Sequence, residues 1–355
     1  VLGGRGVLWS GARDAVIKLA DRCGALLSNT LPARGLFHDH PYGLGITGSY
    51  FTTLGREMYE SADVVLAVGT SLSYYVGGGH FWPKAYKIQL DDAPRGLRDG
   101  LKAADLYVKA DALAGCEAIL AGLDKKLGAG KPTAASIRTK ELAHRIATEP
   151  ADAMEFEVAP GVLDPRKAVE AIDAVVPKDW DIVVGGGHQA YFNAQMRGRP
   201  ADRYTTVREF GAVGNGLSYA LGVAAARRQG RNGKVVLFEG DGGLFFNIQE
   251  LETIKRQGYR ILICAMNDGG YGSEFHKLRA DGLDDSLAIF GRPAFENIAR
   301  GFGLRGNEVR DVSVIPKLFA DFAGQGETEI WNIQISDKIV APVMRQTVKR
   351  GHGVM

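Results

Sequence analysis

The chain has 355 residues, with 43 Lys+Arg against 41 Asp+Glu and a formal charge of +2. That balance leaves no electrostatic footprint for nucleic acid, and no apolar run approaches the roughly 18 residues needed to span a bilayer, so neither a nucleic-acid nor a membrane partner is expected. The length suits two domains, and 45% hydrophobic with 24% charged residues is ordinary for a globular chain. Three cysteines (Cys23, Cys116, Cys264) lie far apart and form no C-x-x-C pair. This argues against a zinc ribbon or a disulfide framework and suits a reducing cytoplasm. The opening Val1-Leu-Gly-Gly-Arg-Gly6 lacks the charged-then-apolar order of a signal peptide and has no initiator Met, so a fragment is expected. Glycine is the outlier, with 47 copies, roughly twice the usual share and without a fixed period.

In chain order, a helix is expected from Ala12, with Val16, Leu19 and Ala20 on one face. Apolar runs at 63–69, 86–90 and 106–109 read as buried strands, and a helix over Ala112–Leu123 closes a first α/β unit, residues 1–123. Short apolar strands alternating with helices imply a parallel sheet. Residues 124–160 are polar and Gly/Pro-bearing, with a helix expected over 136–147, and read as a connection.

The second α/β unit spans 161–355. Asp164-Pro165 pairs an N-cap with proline at the first helical position, and Ala168, Ile172 and Val175 supply the stripe. The strand 181–184 runs into Gly185-Gly-Gly-His188, and Phe210-Gly-Ala-Val-Gly-Asn-Gly216 opens a helix to about Arg228. The strand 234–238 ends in Glu239-Gly-Asp-Gly-Gly243, and Asn247 with Glu250 forms a capping box for the next helix, which Gly258 stops. The strand 260–265 ends in Met266-Asn-Asp-Gly-Gly-Tyr-Gly272, and 331–335 is the last strand. Both units are thus expected to be doubly wound parallel sheets of Rossmann-like α/β class, with ligands at the strand ends.

Two of these endings converge. Gly240-Asp241-Gly242-Gly243 and Asn267-Asp268-Gly269-Gly270-Tyr271-Gly272 close consecutive strands that should be parallel neighbours. Two carboxylates would then face one spot among amides free of Cβ crowding. Mg²⁺ takes hard oxygen ligands, commonly one or two carboxylates plus phosphate oxygens. Exposed amides at helix N-termini bind phosphates.

These motifs resemble the thiamine diphosphate enzymes of the acetolactate synthase, pyruvate decarboxylase and benzoylformate decarboxylase group. Their signature is Gly-Asp-Gly, a strand–helix–strand span, then Asn-Asn, often with Gly-Gly-Tyr-Gly. The resemblance implies metal ligation by Asp241, Asp268 and the Gly270 carbonyl, with Asn267 as the ligand if the register slips by one. Asp268 stands where the family usually has Asn, which adds a negative charge. Gly211-Ala-Val-Gly-Asn-Gly216 resembles the family run that bends thiamine into a V, which would make Val213 the wedge and give Gly211 a hydrogen bond from the aminopyrimidine. Gly186, Gly187, His188 and Gln189 match the loop over the diphosphate, and Gly240, Gly242, Gly243, Tyr271 and Gly272 complete the cofactor contacts. The first unit, with 35–41, 45–48 and 61–69, resembles the family's central domain. The implied reaction is decarboxylation of a small 2-oxo acid, or carboligation onto a second carbonyl, by a homo-oligomer, either dimer or tetramer. The family's pyrimidine-binding domain, with its glutamate, has no counterpart in the sequence, so the isolated chain is expected to be inactive.

No single catalytic residue emerges; His188, Gln189, Glu274 and His276 are the candidates. His188-Gln189 reads equally as a substrate-facing donor or a backbone-bonded loop pair, and Glu274 with His276 as a lid or a solvated helix face. Val213 has the alternative of an ordinary core residue. His38-Asp39-His40, before Pro41, reads as a structural turn. Gly3–Gly6 and Gly69-Thr-Ser71 look like dinucleotide turns, which keeps a nucleotide-binding oxidoreductase as an alternative, beside a catalytically inert cofactor-binding module. Ser71–Gly79 lacks the Arg- and Asp-rich character expected for FAD.

Overall fold

The computed structural model describes residues 1–355 except 74–75, 77–81, 83, 94–96, 99–100, 131–135, 207–210, 229–233 and 350–355. At 97–98, 101–102, 228 and 346–349 it describes the backbone alone. Phe210, Lys131, Pro132 and most of the 71–79 stretch therefore lie outside the described residues. The chain divides into two compact units, Val1–Met154 and Glu155–Met355.

The first unit runs β1 (Leu2–Gly3), α1 (Arg5–Trp9), α2 (Arg13–Cys23), β2 (Leu27–Asn29), β3 (Gly43–Ile46), α3 (Thr53–Glu60), β4 (Val64–Val68) and β5 (Tyr86–Asp91). A two-stranded hairpin, β6 (Leu97–Arg98) with β7 (Leu101–Lys102), precedes β8 (Leu106–Lys109), α4 (Ala112–Leu127) and α5 (Lys140–Thr148). Six strands form one parallel sheet in the order β3-β2-β1-β4-β5-β8. The strand order reverses between β1 and β4, the place where open α/β sheets leave a crevice. Here Gly6 N–H donates to the Gly69 carbonyl at 2.9 Å, and a Cβ at Gly4 or Gly6 would land on the Gly69 backbone closer than 3.0 Å. The two dinucleotide-like turns thus have a packing reason for their glycines.

Helix α5 begins at Lys140, capped by the Thr139 side chain, which accepts from Leu142 N–H. Its Leu142 is buried with Leu54, Tyr59 and Trp82, so the helix expected in the connection packs into the first unit. Leu142→Ala is expected to destabilise this unit by about 3 kcal/mol, read by denaturant unfolding.

The second unit runs α6 (Pro165–Val175), β9 (Asp181–Val184), α7 (Gln189–Asn193), β10 (Tyr204–Thr206), α8 (Gly216–Arg228), β11 (Val235–Gly240), α9 (Asp241–Phe246), α10 (Glu250–Gln257) and β12 (Ile261–Asn267). It continues with α11 (Gly272–Ala280), α12 (Phe295–Gly301), β13 (Arg305–Val309), α13 (Ile315–Gly324), β14 (Glu329–Gln334) and α14 (Pro342–Lys349). Its parallel sheet has the order β10-β9-β11-β12-β14-β13. Alternate residues of the central strands feed two cores: Val184, Phe238, Cys264 and Trp331 on one face, and Val183, Leu237, Ile263 and Ile330 on the other. With both faces covered, the strands read as continuous apolar runs.

Several local expectations need correction. Gly240–Gly243 is not a loop: β11 runs to Gly240 and α9 starts at Asp241. Asn247 does not cap α10; Gln249 occupies that position, and the Asn247 amide instead donates to the Gly214 carbonyl at 2.8 Å. A tertiary bond outcompetes the local capping box. Strands β11 and β12 are joined by two helices, α9 and α10.

Candidate functional site

Register places the site. Gly240 pairs with Met266, so Asp241 and the 267–268 pair leave the sheet side by side. Phe238 pairs with Val184, so Glu239 stands level with Gly185. The strand order reverses between β9 and β11, and their ends open into a cavity of about 210 Å³. Its walls carry the 186–189 turn, Gly211, Val213, the 240–243 segment, Asp268, Gly270, Tyr271 and Gly272. Every cofactor-binding residue expected from the sequence lines this one cavity.

Asp241 is 1% exposed. Its Oδ1 accepts from Gly242 N–H at 2.8 Å, and its Oδ2 from Gly269 N–H at 2.7 Å, across the gap to the next strand end. Asp268 Oδ1 accepts from Gly270 N–H at 3.3 Å, so both carboxyls share the amides of one turn. Gly269 makes that turn at φ +88°, a conformation glycine adopts freely. The turn is strapped from outside: Phe290 and Gly291 donate to the Gly269 carbonyl at 3.0 and 3.1 Å, and Tyr271 N–H donates to Ala288 O at 2.8 Å.

Burial raises the Asp241 carboxyl to about 7, against the pull of the Gly242 and Gly269 amides and Arg292. Burial, and then repulsion from Asp241, push Asp268 well above the ordinary carboxylate range. Two carboxyls that resist ionising together are what a divalent cation would relieve. Among the described residues no three His, Cys, Asp or Glu side chains converge to hold a metal. A cation here would have two carboxylates and would complete its shell from carbonyl, water and ligand oxygens, a donor set that fits Mg²⁺. Asn267 is placed elsewhere: its amide donates to Asn332 Oδ1 and Pro293 O at 2.9 and 3.0 Å, on the β14 side.

The four catalytic candidates separate. His188 is 4% exposed and lines the cavity. Its Nε2 accepts from Ala341 N–H at 3.0 Å, so the neutral ring carries its proton on Nδ1, next to the position a Cβ on Gly272 would take. Burial, with His276 beside it, keeps the ring far below the usual imidazole range. It therefore offers an N–H donor rather than a proton acceptor. His276 is outside the cavity lining, edge-on to His188 with ring centroids 4.5 Å apart, and is lowered to about 4 by burial. Gln189 lines the cavity, but its amide nitrogen donates to Gly185 O at 3.1 Å and its Oε1 accepts from Asn193 Nδ2 at 2.5 Å. Glu274 is exposed, paired with Lys277 at 3.0 Å, and both reach the cavity.

Two residues escaped the sequence reading. Lys277 brings a cation to the rim, and only its i,i+3 spacing from Glu274 hinted at it. Glu239 is fully buried at the end of β11 and raised to about 8 by burial. Its signal was an acid inside a strand buried on both faces. Around the mouth, Val213, Phe246, Tyr271 and Phe290 are all more than a third exposed, and Tyr271 packs against Phe246 and Phe290. Val213 is thus not a core residue.

The first unit has its own crevice of about 570 Å³ at its strand-order reversal, bordered by Arg5, Trp9, Thr30, Thr70, Asp91 and Asp111 among others. His38 and His40 are tied to Gly35 O and Asp21, as a structural turn requires.

Residues 185–328 match the family model "Thiamine pyrophosphate enzyme, C-terminal TPP binding domain", and residues 1–119 match "Thiamine pyrophosphate enzyme, central domain". The chain is 23% identical to a probable acetolactate synthase large subunit of Methanocaldococcus jannaschii, over 97% of the chain and 58% of that protein. It is 27% identical to a probable 2-ketoarginine decarboxylase of Pseudomonas aeruginosa, covering 93% of the chain and 57% of the relative. It is also 27% identical to a sulfoacetaldehyde acetyltransferase of Roseovarius nubinhibens, covering 99% and 62%. The chain thus spans little more than half the length of these curated relatives. No helix among the described residues is long and apolar enough to cross a membrane.

Proposed function

Since the chain belongs to the thiamine pyrophosphate enzymes, we propose that its second unit holds thiamine diphosphate through Mg²⁺, and that the whole protein decarboxylates a small 2-oxo acid or joins the remainder to a second carbonyl. The supporting observation is the buried Asp241–Asp268 pair on the shared 269–270 amides, inside a cavity lined by glycine backbone. Asp241, Asp268 and the Gly270 carbonyl would hold the metal. The amides at 186–187 and 240–243 would take the diphosphate, with Lys277 as a countercharge. Gly211 and Val213 would meet the thiamine ring. When bound, the cofactor supplies the electron sink that lets carbon dioxide leave a 2-oxo acid.

The chain's own groups then bind and orient. His188 donates from Nδ1 while Ala341 N–H fixes its ring. The two carboxylates, ionised against a cation, fix where the diphosphate oxygens lie. The exposed apolar rim at Val213, Phe246, Tyr271 and Phe290 supports completion of the site by another surface, in a homodimer or homotetramer. The three free thiols fit a cytoplasmic location. A second reading, a nucleotide in the first unit, is favoured by the 570 Å³ crevice, where Asp91 or Asp92 could accept from ribose hydroxyls.

Calorimetric titration of the chain tests the two readings. Thiamine diphosphate should bind only with Mg²⁺ present, and NAD and FAD not at all. Binding of NAD or FAD without any thiamine diphosphate signal would reverse the assignment.

A further inference from the structure

Glu239 has no cationic partner among its described contacts. Gly216 N–H donates to its Oε2 at 3.0 Å, and Gly240 N–H to its Oε1 at 3.2 Å. Its carboxylate is enclosed by three glycines from three segments: Gly185 at the end of β9, Gly216 at the start of α8, and Gly243 in α9. A Cβ on any of them would come closer than 3.0 Å to Glu239 side-chain atoms, and at Gly185 and Gly243 the three nearest atoms all belong to Glu239. One fully buried acid therefore touches three of the four glycine-rich segments that border the cavity, those at 185, 216 and 240–243.

This arrangement is costly as a packing solution, because an apolar residue of the same volume would fill the space without burying a carboxyl. What only the acid does is accept from two amides on different segments at once. It joins the 211–216 turn, which carries Gly211 and Val213, to the strand end that carries Asp241. Asp241 in turn reaches Gly269. Glu239 and Asp241 alternate along the chain, so one turn sends one acid beneath the cavity floor and the next into the cavity.

Resting on the functional reading above, we propose that Glu239 is a positioning residue. It locks the turns at 185, 211–216 and 240–243 into the single arrangement that accepts a diphosphate–metal group, without touching that group itself. The glycines at 185, 216 and 243 are then glycine because of Glu239 and not because of the ligand.

The test uses the full chain and two readouts, amide hydrogen exchange without ligand and titration with Mg²⁺–pyrophosphate. Glu239→Leu keeps the volume and removes both acceptors; Glu239→Gln keeps one. We expect the Gly216 and Gly240 amides to exchange at least tenfold faster in Glu239→Leu, and one of the two to do so in Glu239→Gln. Mg²⁺–pyrophosphate affinity should fall at least tenfold in Glu239→Leu. Ile254→Val, a core change in α10, should bind as the unaltered chain does, even where it melts earlier. Should Glu239→Leu fail to fold, Gly243→Ala displaces the same carboxylate and should give the same pair of changes. Unchanged exchange at Gly216 and Gly240 would overturn the proposal, and so would faster exchange with unchanged affinity. If the unaltered chain bound no Mg²⁺–pyrophosphate, the functional reading would fall, and the exchange measurement would still decide whether Glu239 holds the turns.

Discussion

Asp241→Ala is expected to weaken Mg²⁺-dependent binding of thiamine diphosphate at least ~100-fold, about 2.7 kcal/mol. The size follows from position. Asp241 is buried, its two oxygens are oriented by amides from two strand ends, and Asp268 is the buried carboxyl beside it, whereas Glu274 of the same lining is exposed and paired with Lys277. Alanine also leaves the Gly242 and Gly269 amides without their acceptor, so Asp241→Asn belongs beside it. Asn keeps a carbonyl for one amide and removes the charge, and it should lose most of the affinity while melting near the unaltered chain. Titration calorimetry with and without Mg²⁺ reads both. Affinity unchanged in both variants would remove Asp241 from the site.

The second large effect links the metal to pH. The folded chain holds Asp241 at about 7 and Asp268 well above the ordinary carboxylate range, whereas both are ordinary acids once unfolded. A raised folded-state value stabilises below the unfolded value, and that stability is lost as pH climbs through the folded one. Without metal, the pair therefore destabilises the second unit increasingly up to and beyond neutrality. Glu239, at about 8, acts in the same direction, and Arg292 opposes it. The imidazoles of His188 and His276 are shifted downward, so they add stability as pH rises through the ordinary imidazole range, in the opposite sense and equally with or without metal. A cation competes with these protons. The melting-temperature rise given by Mg²⁺–thiamine diphosphate should thus be larger at pH 8 than at pH 6.5, by on the order of 5 °C. Asp268→Asn should shrink that difference, raise the metal-free melting temperature at pH 8, and keep cofactor affinity within roughly tenfold, because an amide oxygen still ligates. A pH-independent rise would mean that the two carboxyls do not meet the cation.

The order of strands and glycine endings in the second unit was legible because β9, β11, β12 and β14 are buried on both faces and so read as apolar runs. Strands lacking that signature went unread. β13 is an edge strand, Arg-Gly-Asn-Glu-Val, buried only at Gly306 and Val309, and β1 and β2 are two and three residues long. The carboxylate pair was legible from spacing alone, since register at a parallel strand end follows from which residues leave the sheet together. What sequence could not supply was the direction of a side chain. Asn247 had a capping-box pattern but turned to Gly214. Gln189 read equally as a substrate-facing donor or a backbone-bonded residue, and it is held by Gly185 and Asn193. Glu239 looked like one more polar residue of a glycine loop and lies inside the fold.

Asp241 and Asp268 are proposed to clasp one divalent cation together with a diphosphate. Crystals of the chain grown with Mn²⁺ and thiamine diphosphate would test it through manganese anomalous scattering. A single peak is expected between the two carboxylates and the Gly270 carbonyl, joined to the diphosphate. Cofactor bound without a peak there, or with manganese outside the reach of both carboxylates, would contradict it.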